Sequence, residues 1–116
     1  MTPTLRRARL DVQVLADAAA LIRVLGHPMR LRIVECLEDG ERCVTDLQRA
    51  LEVPQAIVSQ QLAKMRAAGI VRCRRDGATV WYAAADPRVL RVLNCLRHCD
   101  VPAPTGARRS AGRWEA

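Results

Sequence analysis

At Gly69 the apolar period of this chain changes from about 3.6 to about 2, and at Asp86-Pro87 it changes back. Between those points Ile70 to Arg75 and Thr79 to Ala84 each suit a strand. Asp76-Gly77 between them is a hairpin signal, because both residues tolerate positive φ. A two-stranded ribbon is marginal alone, so it has to lie on a helical body. The rest of the chain must supply that body.

It does so in a readable order. From Asp11 to Leu25 apolar residues recur at Val14, Leu15, Ala18, Leu21, Ile22 and Leu25, and the period stops at Gly26. Pro28 suits the first turn of a second helix, where its missing N–H would have no partner. That helix runs to about Glu38, with Leu31, Ile33, Val34 and Leu37 inward, and ends at Asp39-Gly40. A third, short helix starts near Cys43 with Val44, Leu47 and Leu51 inward. Pro54 holds Val53 extended, giving a sharp turn into a fourth helix. After the hairpin, Asp86 as N-cap and Pro87 at the first position open a last helix to about Cys99, with Val89, Val92, Leu93 and Leu96 inward. The expected fold is mainly α with a two-stranded β-wing, in the order α-α-α-α-β-β-α. Two helices about a tight turn, followed by a wing, make a winged helix-turn-helix. Residues 1–10 read as a flexible basic arm, 11–100 as one winged helix-turn-helix domain, and 101–116, rich in Pro, Ala, Gly, Ser and Arg, as a disordered tail.

The stretch Gln55 to Arg75 carries Lys64, Arg66, Arg72, Arg74 and Arg75 and no acidic residue, whereas the whole chain has 19 basic against 12 acidic. In its helical part Val58, Leu62 and Met65 share a core face. Gln55, Ser59, Gln60, Ala63 and Lys64 lie outside it. Short polar groups flanked by positive charge suit a major groove, where Gln and Ser read base edges and Lys and Arg hold phosphates. The same face also suits a merely solvated helix. Arg74 and Arg75 at the hairpin edge can reach a DNA backbone or simply keep that edge soluble.

Composition sets the remaining bounds. A chain of 116 residues suits one domain, and with two Trp, one Tyr and no Phe its core has to be aliphatic. A net charge of +7 fits a polyanionic partner. No apolar run approaches the roughly 20 residues of a membrane span, and Met1 to Leu10 lacks the core of a secretory signal. The expected compartment is the cytoplasm, with the five cysteines as thiols. A cysteine enzyme would want a CxxC pair or a Cys matched with a placed His and acid. Neither is present, and no catalytic residue is assigned. A winged helix can also serve as a protein-interaction module without specific DNA binding.

The segments LGHPMRLRIVECL (Leu25 to Leu37), DLQRAL (Asp46 to Leu51), VSQQLAKMRAAGIV (Val58 to Val71) and RRDGATVWYAAADPRV (Arg74 to Val89) together resemble the ArsR/SmtB family of small repressors. The resemblance covers roughly residues 15 to 99. It implies a homodimer held by its first and last helices, bound to a promoter operator and released by an effector. No cofactor is then required for DNA binding. The apolar stripes Val14, Ala18, Leu21, Leu25 and Val89, Val92, Leu96 offer more surface than so small a domain needs. A two-fold dimer would bury it, setting two reading helices about one DNA turn, roughly 34 Å, apart on an imperfectly palindromic duplex. Gln55, Ser59 and Gln60 are assigned to base edges and Lys64, Arg74 and Arg75 to phosphates. Ile57 is either a thymine-methyl contact or a packing residue.

The effector rests on Cys36, Cys43, Cys73, Cys95 and Cys99. Cys95 and Cys99 are four apart on the last helix, so they share a face with Cβ atoms roughly 6 Å apart. That is too wide for an easy disulfide, which wants about 3.8 Å. Two thiolates can still converge on a soft metal or metalloid ion of the arsenite, antimonite, cadmium or mercury class, with a third ligand from Cys43, His98, another cysteine or the partner subunit. Both thiols can equally be small hydrophobes in an interface. In ERCVTDL, Cys43 stands where Ser or Thr would cap the third helix, with Asp46 three residues on as in a capping box. A thiol so placed becomes a better ligand. The stretch resembles the ELCVCDL motif of arsenite and cadmium sensors, with Thr45 replacing the second cysteine. Cys73 alternates with Val71 and reads as core.

Another branch of the family joins a second-helix cysteine to a last-helix one in sensing persulfide or oxidants, and SQQL resembles it. Cys36 with Cys99 or Cys95 would play those parts. Cys36, however, stands one residue after the usual position, held here by Glu35, and one residue turns a helical side chain by about 100 degrees. Zinc and nickel sensors use a histidine where this chain has Arg88, and His27 is read as orienting a helix start.

Overall fold

The computed structural model describes residues 8–99. Helix α1 (Val12–Leu25) is followed by α2 (Pro28–Cys36), a short strand β1 (Arg42–Cys43), α3 (Val44–Leu51), α4 (Gln55–Ala67), the hairpin β2 (Val71–Asp76) and β3 (Thr79–Ala84), and α5 (Pro87–Arg97). This is a winged helix-turn-helix, with α3 and α4 as its two central helices.

The helix starts follow from their capping residues. Asp11 accepts the Gln13 N–H at 3.1 Å and opens α1. His27 Nδ1 accepts the Met29 N–H at 3.1 Å with Pro28 at the first helical position, so His27 does orient a helix start. Asp86 accepts the Arg88 N–H at 2.9 Å ahead of Pro87. Helix α4 closes on Gly69, whose φ of +79° lets Ile70 N–H reach back to Met65 O at 3.0 Å.

The core is aliphatic as expected. Met29, Ile33, Val34, Leu47, Val58, Leu62, Met65, Ile70 and Val89 are all fully buried. They come from α2, α3, α4, the start of the hairpin and α5, so α4 is seated on the centre of the domain. Cutting one such side chain back to Ala costs about 2–5 kcal/mol, a large part of a total stability of about 5–15 kcal/mol. Helix α1 packs less deeply: Leu25 alone on it is buried, while Leu21 and Val24 lie half-buried against the core.

The expected two-stranded wing is present, with one strand added to it and three expectations corrected. Arg42 and Cys43 pair with Tyr82 and Trp81, giving an antiparallel three-stranded sheet of order β1-β3-β2. Two residues carry no periodicity, so this strand left no pattern to read. The hairpin turns at Gly77-Ala78 rather than Asp76-Gly77, because Asp76 already pairs with Thr79. Gly77 alone in that loop has positive φ, +63°, as Gly-first hairpin loops require. Helix α2 ends at Cys36, two residues before Glu38. Helix α5 ends at Arg97 with His98 as C-cap, so Cys99 lies beyond it.

Residues 8–10 of the expected arm are exposed and in no regular element, while 1–7 and the expected tail, 101–116, lie outside the described residues. Among the described residues no helix is long and apolar enough to cross a membrane.

Candidate nucleic-acid interface and cysteine sites

Helix α4 divides as its period demands. Val58, Gln61, Leu62 and Met65 are buried, while Gln55, Ser59, Gln60, Ala63 and Lys64 are exposed on the other side. The three polar residues assigned to base edges therefore share an open face with Lys64. Ile57 is half-buried and packs against the core cluster. That contact supports its packing reading and leaves only part of the side chain for a thymine methyl. No side chain caps α4, whose N-cap is Pro54, so its amino end is open to an anion.

The turn before it is tighter than the sequence suggests. Glu52 adopts φ 56° and ψ 44°, a left-handed conformation unusual for a residue with a Cβ, and its N–H bonds Gln48 O at 2.8 Å. Val53 and Pro54 then lead into α4. The wing brings up Arg72, Arg74 and Arg75, all exposed. Arg75 and Lys64 have no ion-pair partner among the described residues. Arg74 has two, a bidentate contact with Glu41 and a longer one, 3.8 Å, with Asp76.

Two contacts escaped sequence reasoning. One is the Arg74–Glu41 pair, between residues 33 positions apart, for which no local signal exists. The other is Gln61, the one buried polar residue among those described, which accepts a hydrogen bond from Arg30. Its place three after Val58 put it on the core face, and that mismatch was a readable signal.

The cysteines do not gather. Among the described residues no three His, Cys, Asp or Glu side chains come together to hold a metal ion. Cys95 and Cys99 are exposed, but with α5 ending at Arg97 the shared helical face assumed for them is lost at Cys99. Cys43 occupies the N-cap position of α3 yet makes no side-chain cap bond, so the expected capping box is not formed. Its backbone is drawn into β1 instead, opposite Trp81, and its side chain lines a cleft with Gln55, Thr79 and Val80. Cys73 is half-buried rather than core, because it lies one pleat outward of Val71 toward the tip. Cys36 is half-buried too, and burial, together with the Glu35 carboxylate, pushes its thiol pKa up.

At the start of α5 the Arg88 guanidinium holds both Asp86 oxygens, Nε to Oδ1 at 3.0 Å and Nη2 to Oδ2 at 2.7 Å. The carboxyl is held below its ordinary range by that contact. A carboxylate so occupied is a poor metal ligand.

Open polar helix, tight turn and basic wing complete a winged helix-turn-helix. A family model described as bacterial regulatory protein, arsR family, matches residues 27–72. The transcriptional repressor PagR of Bacillus anthracis is 34% identical over 76% of this chain and 89% of its own length. The HTH-type transcriptional repressor SmtB of Mycobacterium tuberculosis is 41% identical over 74% of this chain, a match spanning 64% of the relative's length. The crystal structure of the transcriptional repressor BigR from Xylella fastidiosa superposes with a TM-score of 0.73 at 30% identity, covering 78% of this chain and 93% of that one. The chain belongs to the ArsR/SmtB family of DNA-binding transcriptional repressors, whose members are not enzymes.

Proposed function

We propose that the protein is a homodimeric repressor that binds an imperfect palindrome and is released by a thiol-reactive effector, a soft metal or metalloid ion. One observation carries the reading. Val12, Val14, Leu15 and Ile22 on α1 and Leu96 on α5 are large apolar side chains at least half exposed in one subunit, and the exposed thiols Cys95 and Cys99 flank Leu96. A second copy packed on α1 and α5 would cover the apolar side chains and bring thiols of both subunits together. Since no three ligands converge within one subunit's described residues, the third ligand for Cys95 and Cys99 would come from the partner subunit. A repressor of this kind works in the cytoplasm, beside its DNA.

Ion binding at the dimer seam changes the angle between subunits, and the two α4 helices no longer meet successive major grooves. Coupling of this kind is typically about 1–3 kcal/mol, a roughly 5- to 150-fold loss of affinity.

A second reading has its own support. Arg97 donates to both oxygens of Glu38, at 2.7 and 3.2 Å, and lies 3.8 Å from Glu35, which holds the end of α5 to the end of α2. Cys36 ends α2 and Cys99 follows α5. A persulfide or peroxide could take two electrons from these thiols, with loss of two protons, to join them as a disulfide.

The test is titration of the DNA-bound protein with arsenite, antimonite, cadmium, mercury, zinc and a persulfide donor. Release by a soft ion that survives Cys36→Ser but not Cys95→Ser/Cys99→Ser supports the first reading. Release by persulfide alone, lost with Cys36→Ser, supports the second. Absence of any salt-dependent preference for a palindrome overturns the repressor itself and favours a protein-interaction module.

A further inference from the structure

Arg30, in the first turn of α2, touches two other helices at once. Its Nε donates to Oε1 of Gln61 at 2.8 Å, and its Nη1 donates to the main-chain oxygen of Val24 at 2.9 Å. Val24 lies in the last turn of α1, where carbonyl oxygens have no partner within the helix and the dipole favours a cation. Gln61 is only 6% exposed and is the one buried polar residue among those described. The contact joins α1, α2 and α4 through a planar fork whose donors are fixed relative to one another.

The positions of these partners give the contact its consequence. Gln61 directly follows Ser59 and Gln60, the outward residues of α4, and its side chain is on the inward face. Everything else that seats α4 is apolar: Val58, Leu62 and Met65 are non-directional contacts that tolerate small slides and rotations. A hydrogen bond does not, because its length is held to about 2.7–3.2 Å. The Arg30–Gln61 bond is thus the directional element that sets how far α4 is turned about its axis. The Val24 contact fixes the same guanidinium to α1.

We infer that Arg30 is a positioning residue for DNA reading: it locks the rotation of α4 to the end of α1, so that a shift of α1 is passed to the base-reading face. The inference rests on the reading of α1 as a dimer helix and α4 as the DNA reader. Phosphate attraction depends on charge count and falls with salt, whereas base-edge bonds depend on α4's exact setting. Loss of the lock therefore lowers affinity for the preferred sequence more than affinity for DNA in general.

The test compares wild type, Arg30→Met, Gln61→Leu, the double variant Arg30→Met/Gln61→Leu, and Arg30→Lys. Binding is measured to the duplex that wild type selects from a random-sequence pool and to an unrelated duplex of the same length. Melting temperature and sedimentation accompany each. Each single variant leaves a polar partner unsatisfied and melts lower, while the double variant replaces both partners with apolar groups and regains much of the loss. A role in stability alone predicts that DNA reading recovers with it. We expect instead that the double variant, still dimeric, stays roughly 5- to 150-fold weaker on the selected duplex, with binding to the unrelated duplex and the salt slope unchanged. A double variant that reads the selected duplex as wild type does overturns the inference. Should the double variant not fold, Arg30→Lys decides: it keeps the charge but cannot span both acceptors, and undiminished selectivity overturns the inference equally. A wild-type protein that is monomeric or selects no sequence overturns the repressor reading and this inference with it.

Discussion

The Arg74 guanidinium in the wing donates from Nε and Nη2 to the two carboxylate oxygens of Glu41, at 2.7 and 2.9 Å. Glu41 immediately precedes β1 and Arg74 lies in β2, the two edge strands of the sheet, so the pair bridges the sheet across β3. Both side chains are open to water, and such pairs contribute little to stability. The consequence is one of charge. A fork already satisfied by a carboxylate meets DNA as a near-neutral unit, unless it exchanges Glu41 for a phosphate.

Removing the carboxylate tests which occurs. Glu41→Gln should raise affinity for any duplex and steepen the dependence of log K on log salt by roughly one phosphate's worth, about 0.9, because Arg74 is released to the backbone. Anisotropy titrations over a range of salt would measure both. An unchanged slope would mean that Arg74 braces the wing and that Arg72, Arg75 and Lys64 carry the phosphate contacts.

Glu52 offers a test of stored strain. Its left-handed backbone, φ 56°, costs a residue with a Cβ on the order of 1 kcal/mol, and its side chain is exposed. Glu52→Gly relieves the steric cost and gives some of it back as unfolded-chain entropy. The variant should be as stable as wild type or more so, by up to about 1 kcal/mol in denaturant unfolding. Ala or Val at this position keeps the strain and gains nothing. A marked loss of stability in Glu52→Gly would show that the turn is not strained.

What could be read from the residues and what could not divides along physical lines. Helix starts were legible at Asp11, Pro28 and Asp86-Pro87, because a cap and a proline act within a few residues. The two faces of α4 were legible from the spacing of Val58, Leu62 and Met65. Strand β1 was not, since Arg42-Cys43 is a strand only through its pairing with Tyr82 and Trp81. Cys99 reads as part of α5 because nothing in RHCD marks a helix end, whereas the helix is closed at His98 by bonds from its N–H to Asn94 O and Leu96 O. The Glu41–Arg74 and Arg97–Glu38 pairs join residues 33 and 59 positions apart, distances at which a lone charge carries no information about its partner.

The apolar face of α1 makes a direct prediction about assembly. Ile22 is 66% exposed in one subunit and makes no contribution to the core of its own chain. Ile22→Glu should therefore leave the fold intact, with helical circular dichroism and melting little altered at low concentration, yet shift sedimentation toward monomer. DNA affinity should fall with it, since each half-site is then bound singly. If Ile22→Glu stays dimeric, the interface runs elsewhere.

Acid stability is expected to depend on Asp86 more than on the other paired carboxylates. Glu38, Glu41 and Asp86 each lie below their ordinary range, chiefly because an arginine hydrogen-bonds the charged form: Arg97, Arg74 and Arg88 respectively. Their side chains are 23%, 39% and 14% exposed, so Asp86 is the least screened. A carboxylate whose folded pKa lies below its unfolded value binds its proton less tightly in the fold. Its stabilisation is complete above the unfolded value, about 3.9 for Asp, and is lost as pH falls from there through the lower folded value. Melting temperature should accordingly hold level above that range and fall below it. Asp86→Asn separates charge from capping, because Asn caps a helix about as well as Asp but cannot ionise. The variant should melt somewhat lower than wild type at neutral pH and lose less on acidification, so that the two curves converge in acid. Curves that stay parallel across the whole range would show that the Asp86–Arg88 pair contributes nothing to the fold's response to acid.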